Sequence, residues 1–325
     1  MKSTSTPYDD VFRTLLNDCS KLIIPLINEV FGEHYTGNER IVFSPNEHFI
    51  NQQDGAEYEC ITDTKFKIIG KETKNYHWEC QSTADSSMAV RIFEYASQIA
   101  LDEGEISANR LTVTFPHSAV LYLRSSKMTP DEMYIEIKTP GGSITYSIPV
   151  MKMQVYAIDD IFEKNLLFLL PFYIFTHEKE LEEYDKNEDK LEILKQEYEG
   201  IKKRLEEKTV KGEIDEYTKC TITDMSKKVL EHLADKYENV KKGVGLVMGG
   251  RILDYEAKTI KNEGLREGRN EGINEGLREG RKEAARNLIR AGKMSLEEIA
   301  ECVNLTLDEL NVLASEGAIK QGNAQ

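Results

Sequence analysis

Asp63, Glu79 and Gln81 are the side chains whose types and spacing could do chemistry together. They lie on two strand-like arms, Glu57 to Ile69 and Tyr76 to Gln81, joined by a turn-forming stretch around Gly70 to Asn75. If the arms pair antiparallel, the residue opposite Asp63 falls near positions 80 to 82, which sets Asp63 level with Glu79 and Gln81. Period-2 alternation puts His77, Glu79 and Gln81 on one face of the second arm, and Tyr76, Trp78 and Cys80 on the other. Two carboxylates at one level repel unless they are protonated, spread apart or bridged by a cation. A hard cation such as Mg²⁺ suits them, because it takes oxygen ligands, keeps several waters and completes its shell with phosphate oxygen. Held there, it polarises a scissile phosphate and acidifies an attacking water. The same D-x(15)-E-x-Q spacing also fits an edge hairpin whose Asp and Glu simply face water, and spacing by itself does not choose between the two.

Other chemistries find less support. His77-Trp78-Glu79 has the His-x-Glu of a zinc deaminase, but no Pro-Cys-x-x-Cys follows it. No Gly-x-Ser-x-Gly occurs. Cys19, Cys60, Cys80, Cys220 and Cys302 are odd in number, widely scattered and never in Cys-x-x-Cys, which argues against a disulfide framework, a zinc ribbon or an assignable cysteine nucleophile. Gly243 to Gly250 (GVGLVMGG) has no following Gly-Lys-Ser/Thr and no clear strand before it, so it reads as a turn or hinge, not a phosphate loop.

The elements that must position the three residues follow from periodicity. Residues 8 to 31 predict a helix, with Phe12, Leu15, Leu16, Leu22, Ile23, Leu26, Ile27 and Val30 at steps of three and four, a kink at Pro25 and a stop at Gly32. The two arms, Ser118 to Leu123, Met133 to Lys138 and Ser143 to Pro149 predict strands, with a helix from Ser86 to Leu101 among them and a hairpin turn at Pro140-Gly141-Gly142. That order implies a mixed α/β domain over residues 1–176.

Composition changes sharply after residue 176. Tyr184, Leu191, Leu194, Tyr198, Ile201 and Leu205 form a heptad seam, which fits a coiled-coil arm or a long helix folding back on Met225 to Val240. The second is preferred, because the seam lasts barely four heptads and a partner helix lies nearby in sequence. Residues 177–255 are therefore a helical region. In 256–283, Glu-Gly pairs recur every four residues from Glu263 to Gly280. Each glycine costs a helix about 1 kcal/mol relative to alanine, so the repeat is either a self-associating helix with a smooth glycine stripe or a flexible linker. Residues 284–325 read as short helices, with capping boxes at Ser295/Glu298 and Thr306/Glu309. Asp308 and Glu309 at the start of the last helix argue against that tail reading a DNA groove.

The chain of 325 residues is 40% hydrophobic and carries 42 Lys and Arg against 57 Asp and Glu, a net charge of -15. Such a surface repels polyanions as a whole, so nucleic acid must meet a local basic patch or a bound cation. The start lacks the apolar core of a signal peptide, and the longest apolar run, Leu166 to Phe175, is about half the ~20 residues a membrane span needs. The expectation is a cytoplasmic protein with no membrane partner.

The stretch TDTKFKIIGKETKNYHWECQST resembles the PD-(D/E)XK nuclease superfamily, and more narrowly its recombination-promoting, transposase-related (Rpn-like) bacterial branch, in which E-x-Q replaces E-x-K. The likeness takes in Tyr8, Asp9, Phe12 and Leu15-Leu16, Arg91 with Tyr95, FPHSAVLYLRS, IPVMKMQVY, and the Glu-Gly repeats and tail. The resemblance implies a restriction-endonuclease-like mixed sheet flanked by helices, followed by an all-helical C-terminal region. It implies a DNA endonuclease using Mg²⁺ or Mn²⁺, with Asp63 and Glu79 as metal ligands and Gln81 in the place of the lysine that orients the attacking water. Superfamily members often add an acid from the first helix, a role open to Glu29, Asp9 or Asp10, each of which also reads as a solvated helix charge. Arg91 and Tyr95, one turn apart, fit either a phosphate contact or a helix-packing pair. DNA is the implied partner, together with a second copy of the chain through the C-terminal helices. The rival readings are a nuclease-fold scaffold that binds DNA or protein without efficient catalysis, and a structural helical oligomer.

Overall fold

Tyr76, His77, Trp78, Glu79 and Cys80 are all buried, so both faces of their strand are covered and the strand runs through the middle of a sheet. The structure is a computed structural model that describes residues 7–43, 47–51, 57–61, 64–83, 87–249, 281–282, 284–289, 294–303, 307 and 310. Its strands are β1 (Arg40–Phe43), β2 (Glu47–Asn51), β3 (Glu57–Ile61), β4 (Thr64–Ile69), β5 (Thr73–Gln81), β6 (Glu105–Ser107), β7 (Arg110–Thr112), β8 (His117–Tyr122), β9 (Glu132–Thr139) and β10 (Gly142–Lys152). Six of them form one mixed sheet in the order β1-β4-β5-β8-β10-β9, while β2 pairs with β3 and β6 with β7. Strand β8 runs parallel to both β5 and β10, and the other pairings in the large sheet are antiparallel.

One face of the sheet meets the N-terminal helices. The single kinked helix expected over residues 8 to 31 is two, α1 (Pro7–Asp18) and α2 (Ile23–Phe31), separated by Cys19 and a 3-10 turn at Ser20–Leu22. Pro25 is not the break: it falls in the first turn of α2, where a missing backbone N–H leaves no hydrogen bond unmade. Gly32 ends α2 in the left-handed conformation, φ 65°, as expected of a stop glycine. Phe66, Ile68, Tyr76, Trp78, Cys80, Ala119 and Leu121 pack against Phe12, Leu15, Ile23 and Ile27 in the main core. The other face is covered by α3 (Met88–Asp102), whose Met88 and Ile92 join Val120, Tyr122, Ile135 and Ile148 in a second cluster.

The change in composition at residue 176 is not a gap in the core. Beyond β10 come α4 (Ile158–Glu163), a run of 3-10 turns at Leu167–Glu180 that buries Leu167 to Phe175, α5 (Leu181–Lys186), α6 (Glu188–Val210), α7 (Glu216–Leu233) and α8 (Glu238–Met248). Leu194, Tyr198, Ile201 and Leu205 of α6 belong to the same core cluster as Trp78, together with Val229, Leu230, Val240 and Val244. The heptad seam therefore faces its own chain. The GVGLVMGG stretch expected to be a turn is mostly helix, because Val240, Val244 and Met248 recur every four residues and bury one face of α8. Its Gly243 marks a close approach: a Cβ there would lie 3.3 Å from Lys195 Cδ and 3.5 Å from both methyl carbons of Leu191. Replacing Gly243 with leucine is expected to force α6 and α8 apart and to destabilise the fold by about 1–3 kcal/mol, measured by chemical denaturation. A variant as stable as the wild type would show that the contact is loose.

The chain divides into two compact units, Met1–Asp254 and Tyr255–Gln325. In the second, a helix at Leu296–Val303 is capped as its sequence predicts, Ser295 N–H donating to Glu298 Oε2 at 2.7 Å and Glu298 N–H to Ser295 Oγ at 3.2 Å. The Glu-Gly repeat and the Thr306/Glu309 box lie outside the described residues. Among those described, no helix is long and apolar enough to cross a membrane.

Candidate active site

Helix α3 carries two stripes. Met88, Ile92, Ala96 and Ile99 are apolar and buried, while Arg91 and Tyr95, offset around the helix, face β5. The sheet beneath is divided the same way: toward β8, β10 and β9 it presents Val120, Ile148 and Ile135, but toward β4 and β5 it presents Lys65, Lys67, Asn75, His77, Glu79 and Gln81. A band of polar side chains is thus enclosed between α3 and one edge of the sheet.

Glu79 is the centre of that band and has no solvent exposure. Its Oε1 lies 3.1 Å from His77 Nε2, its Oε2 lies 3.1 Å from Arg91 Nη2, and the Gln81 amide reaches Oε2 at a long 3.5 Å. Nε2 of His77 can donate to the carboxylate, and Nδ1 faces the Ser118 hydroxyl at 3.3 Å. The Tyr95 ring stands edge-on to His77 with centroids 5.8 Å apart. A buried carboxylate costs several kcal/mol of lost hydration unless partners replace the water, and here an imidazole and a guanidinium approach its two oxygens.

Further along the same face, Lys65 is 4% exposed and sits 3.2 Å from Glu103 Oε1, while Lys67 and Asn75 reach Oε2 at 2.9 and 2.8 Å. Burial pushes the Glu103 carboxyl up, but the hydrogen bonds from Lys67, Lys65 and Asn75 outweigh it and hold the group below its usual value of 4.5. A folded-state pKa below the unfolded one means that the cluster stabilises fully above the unfolded value and loses its contribution as pH falls from there through the folded one. Glu103→Gln is therefore expected to cost about 2 kcal/mol near neutral pH, somewhat less than breaking a fully buried pair. The difference from wild type should shrink toward pH 3, and a constant difference across an acid titration followed by circular dichroism would exclude this linkage.

Of the residues singled out in the sequence, Glu79, Gln81, Arg91 and Tyr95 come together. Asp63 lies outside the described residues. The β4–β5 turn is tighter than expected, occupying residues 70–72, so Thr64 pairs with Trp78 and Lys65 with His77. The first-helix acids are not brought to Glu79. Glu29 bonds Lys164 at 2.5 Å and Asp10 lies 3.6 Å from Lys228. Their helices pack on the opposite face of the sheet, where Phe31 meets Tyr76 and Trp78 with ring centroids 5.4 and 6.1 Å away. Comparison with protein-family models, curated proteins and solved structures gives no match. The functional reading stands on these residues.

Ser118 and Glu103 were not singled out by sequence, and the role of His77 in holding Glu79 was missed. The signal for His77 is its place two residues before Glu79 on the same face, and for Ser118 a polar interruption in the apolar strand HSAVLY. Among the described residues no three His, Cys, Asp or Glu side chains form a metal-sized group. An open groove of about 690 Å³ between α6 and α8, lined by Lys202, Glu206, Val210 and Leu246 among others, includes no residue of the Glu79 cluster.

Proposed function

We propose that the chain is a divalent-metal-dependent DNA endonuclease with a restriction-endonuclease-like core, working from Asp63, Glu79 and Gln81. The observation that carries this reading is Glu79: a carboxylate without solvent exposure, at the C-terminal end of a central strand, oriented through both oxygens. Carboxylates are almost never fully buried unless paired, and ligand positions in open sheets favour the carboxyl ends of parallel strands, where β5 lies beside β8.

The donors fit a hard cation in kind. Glu79 supplies carboxylate oxygen, Gln81 an amide oxygen, and Asp63 is the sequence neighbour of Thr64, which pairs with Trp78. Asp63 and Glu79 would hold Mg²⁺ or Mn²⁺, which when bound polarises phosphate and acidifies water. Gln81 brings hydrogen-bonding capacity to a substrate or water but no charge. His77, fixed by Ser118, keeps the Glu79 carboxylate from rotating.

A second reading is favoured by one observation: His77 and Arg91 already engage both oxygens of Glu79, as in a closed structural network. On that reading the protein binds DNA or another protein on a nuclease scaffold without cutting. Supercoiled DNA incubated with Mg²⁺ or Mn²⁺ separates the two. Nicking by the wild type that disappears in Asp63→Ala and Glu79→Ala supports the endonuclease; equal nicking by all three overturns the site assignment.

A further inference from the structure

The enclosed band holds more positive charge than a metal pair requires, and its cations are not equivalent. Lys65 is deeply buried and, with Lys67, is drawn to Glu103 at the far end of α3. Arg91 differs in place and exposure. It lies in the first turns of α3, its Nη2 is on Glu79 Oε2, and a third of its side chain is open to solvent while its partner has no exposure. One planar group therefore spans from the buried carboxylate to the surface.

Gln81 stands on the same face without a charge, and a chain of net charge -15 needs a local cation wherever a polyanion is to settle. A guanidinium carries five N–H donors in a rigid fork that matches two oxygens of a phosphate, which an amide cannot match in charge or a lysine in geometry. Gln81 brings no charge to the side of Glu79, and Arg91 is a cation that the fold delivers to that carboxylate from the helix across the strand.

We propose that Arg91 is a phosphate-contacting cation of this site, parked on Glu79 in the free protein and turning its fork to a DNA phosphate that reaches the carboxylate. This rests on the endonuclease reading for the identity of the ligand, but not on catalysis. The exchange is balanced: the guanidinium trades one anionic oxygen partner for another, and Glu79 is released to serve the site.

Binding of a short fluorescein-labelled DNA duplex to the full-length protein, followed by anisotropy across a salt series, tests it. The series is run in EDTA and again in Ca²⁺, for wild type, Glu79→Gln, Arg91→Gln and the double variant. Arg91→Gln is expected to weaken binding about tenfold and to reduce the salt slope by about one. Glu79→Gln, which removes the anion at Arg91 Nη2, should tighten binding several-fold in EDTA, and the double variant should lose that gain. If Arg91→Gln alone fails to fold, with the Glu79 charge no longer balanced by a guanidinium, the double variant still carries the comparison with Glu79→Gln because both charges are gone. Affinity and salt slope that do not change with Arg91 in either background overturn the proposal. Arg91-dependent binding without any cleavage supports it while removing the endonuclease reading, and no DNA binding by wild type or Glu79→Gln overturns both.

Discussion

On the proposed endonuclease reading, Glu79→Ala is expected to lower Mg²⁺-dependent DNA cleavage by on the order of 10³-fold, the several kcal/mol that a positioned metal would contribute to charge stabilisation in the transition state. Glu79→Gln should lose nearly as much, because the amide keeps the shape of the carboxylate but not its charge. Stability separates these losses from misfolding. Removing the carboxylate relieves a buried charge and Arg91, a third exposed, can take up water, but His77 keeps only an amide oxygen to bond, so Glu79→Gln should cost about 3 kcal/mol of unfolding free energy and leave a folded protein. Cleavage and stability falling in parallel, measured by plasmid nicking and by denaturation on the same preparations, would mean that Glu79 is only structural.

The second large effect is on the other face of the same strand. Trp78 is the one tryptophan in the chain, has no solvent exposure, and meets Phe31 edge-on with centroids 6.1 Å apart. Trp78→Ala should cost about 3–5 kcal/mol through lost burial and a residual cavity. That lowers the melting temperature by roughly 10 °C in a unit of this size. Trp78→Phe should cost only about 1–2 kcal/mol, since the indole N–H has no hydrogen-bond partner among the described residues and its removal offsets part of the lost contact. Circular dichroism is the right probe, because the mutation removes the fluorophore. A Trp78→Ala protein within about 1 kcal/mol of wild type would mean that the sheet collapses around the void.

Much of this arrangement was legible in residue patterns. The alternation of TKFKII and TKNYHWECQ identifies β4 and β5, and Pro140-Gly141-Gly142 identifies the β9–β10 hairpin, in which Thr139 pairs with Gly142. The heptad residues of α6 identify a buried face but not its partner, which only the packing against α7 and α8 reveals. Strands β1, β6 and β7 are three or four residues long, too short for alternation to rise above chance. Lys65-Phe66-Lys67 reads as a strand with lysines in water, yet the end of α3 covers Lys65 and supplies Glu103. The enclosure of Glu79 was illegible for the same reason. It depends on Arg91 and Tyr95 turning inward from a helix whose apolar stripe points elsewhere.

The parallel pairing of β5 with β8 also bears on synthesis of the chain. His77 meets Ser118 across 41 positions of sequence, so the polar band cannot close until residues 117–122 have left the ribosome. Until then β5 has β4 on one side and nothing on the other, an edge strand with open backbone hydrogen-bonding groups and one apolar face, with Trp78, in need of cover. Formation of α3 and delivery of β8 follow that exposure, and loop closure over this distance makes them slower than hairpin formation between β4 and β5. Truncated chains ending before β8 therefore lack the Ser118 partner of His77, and they present β5 with one edge unpaired.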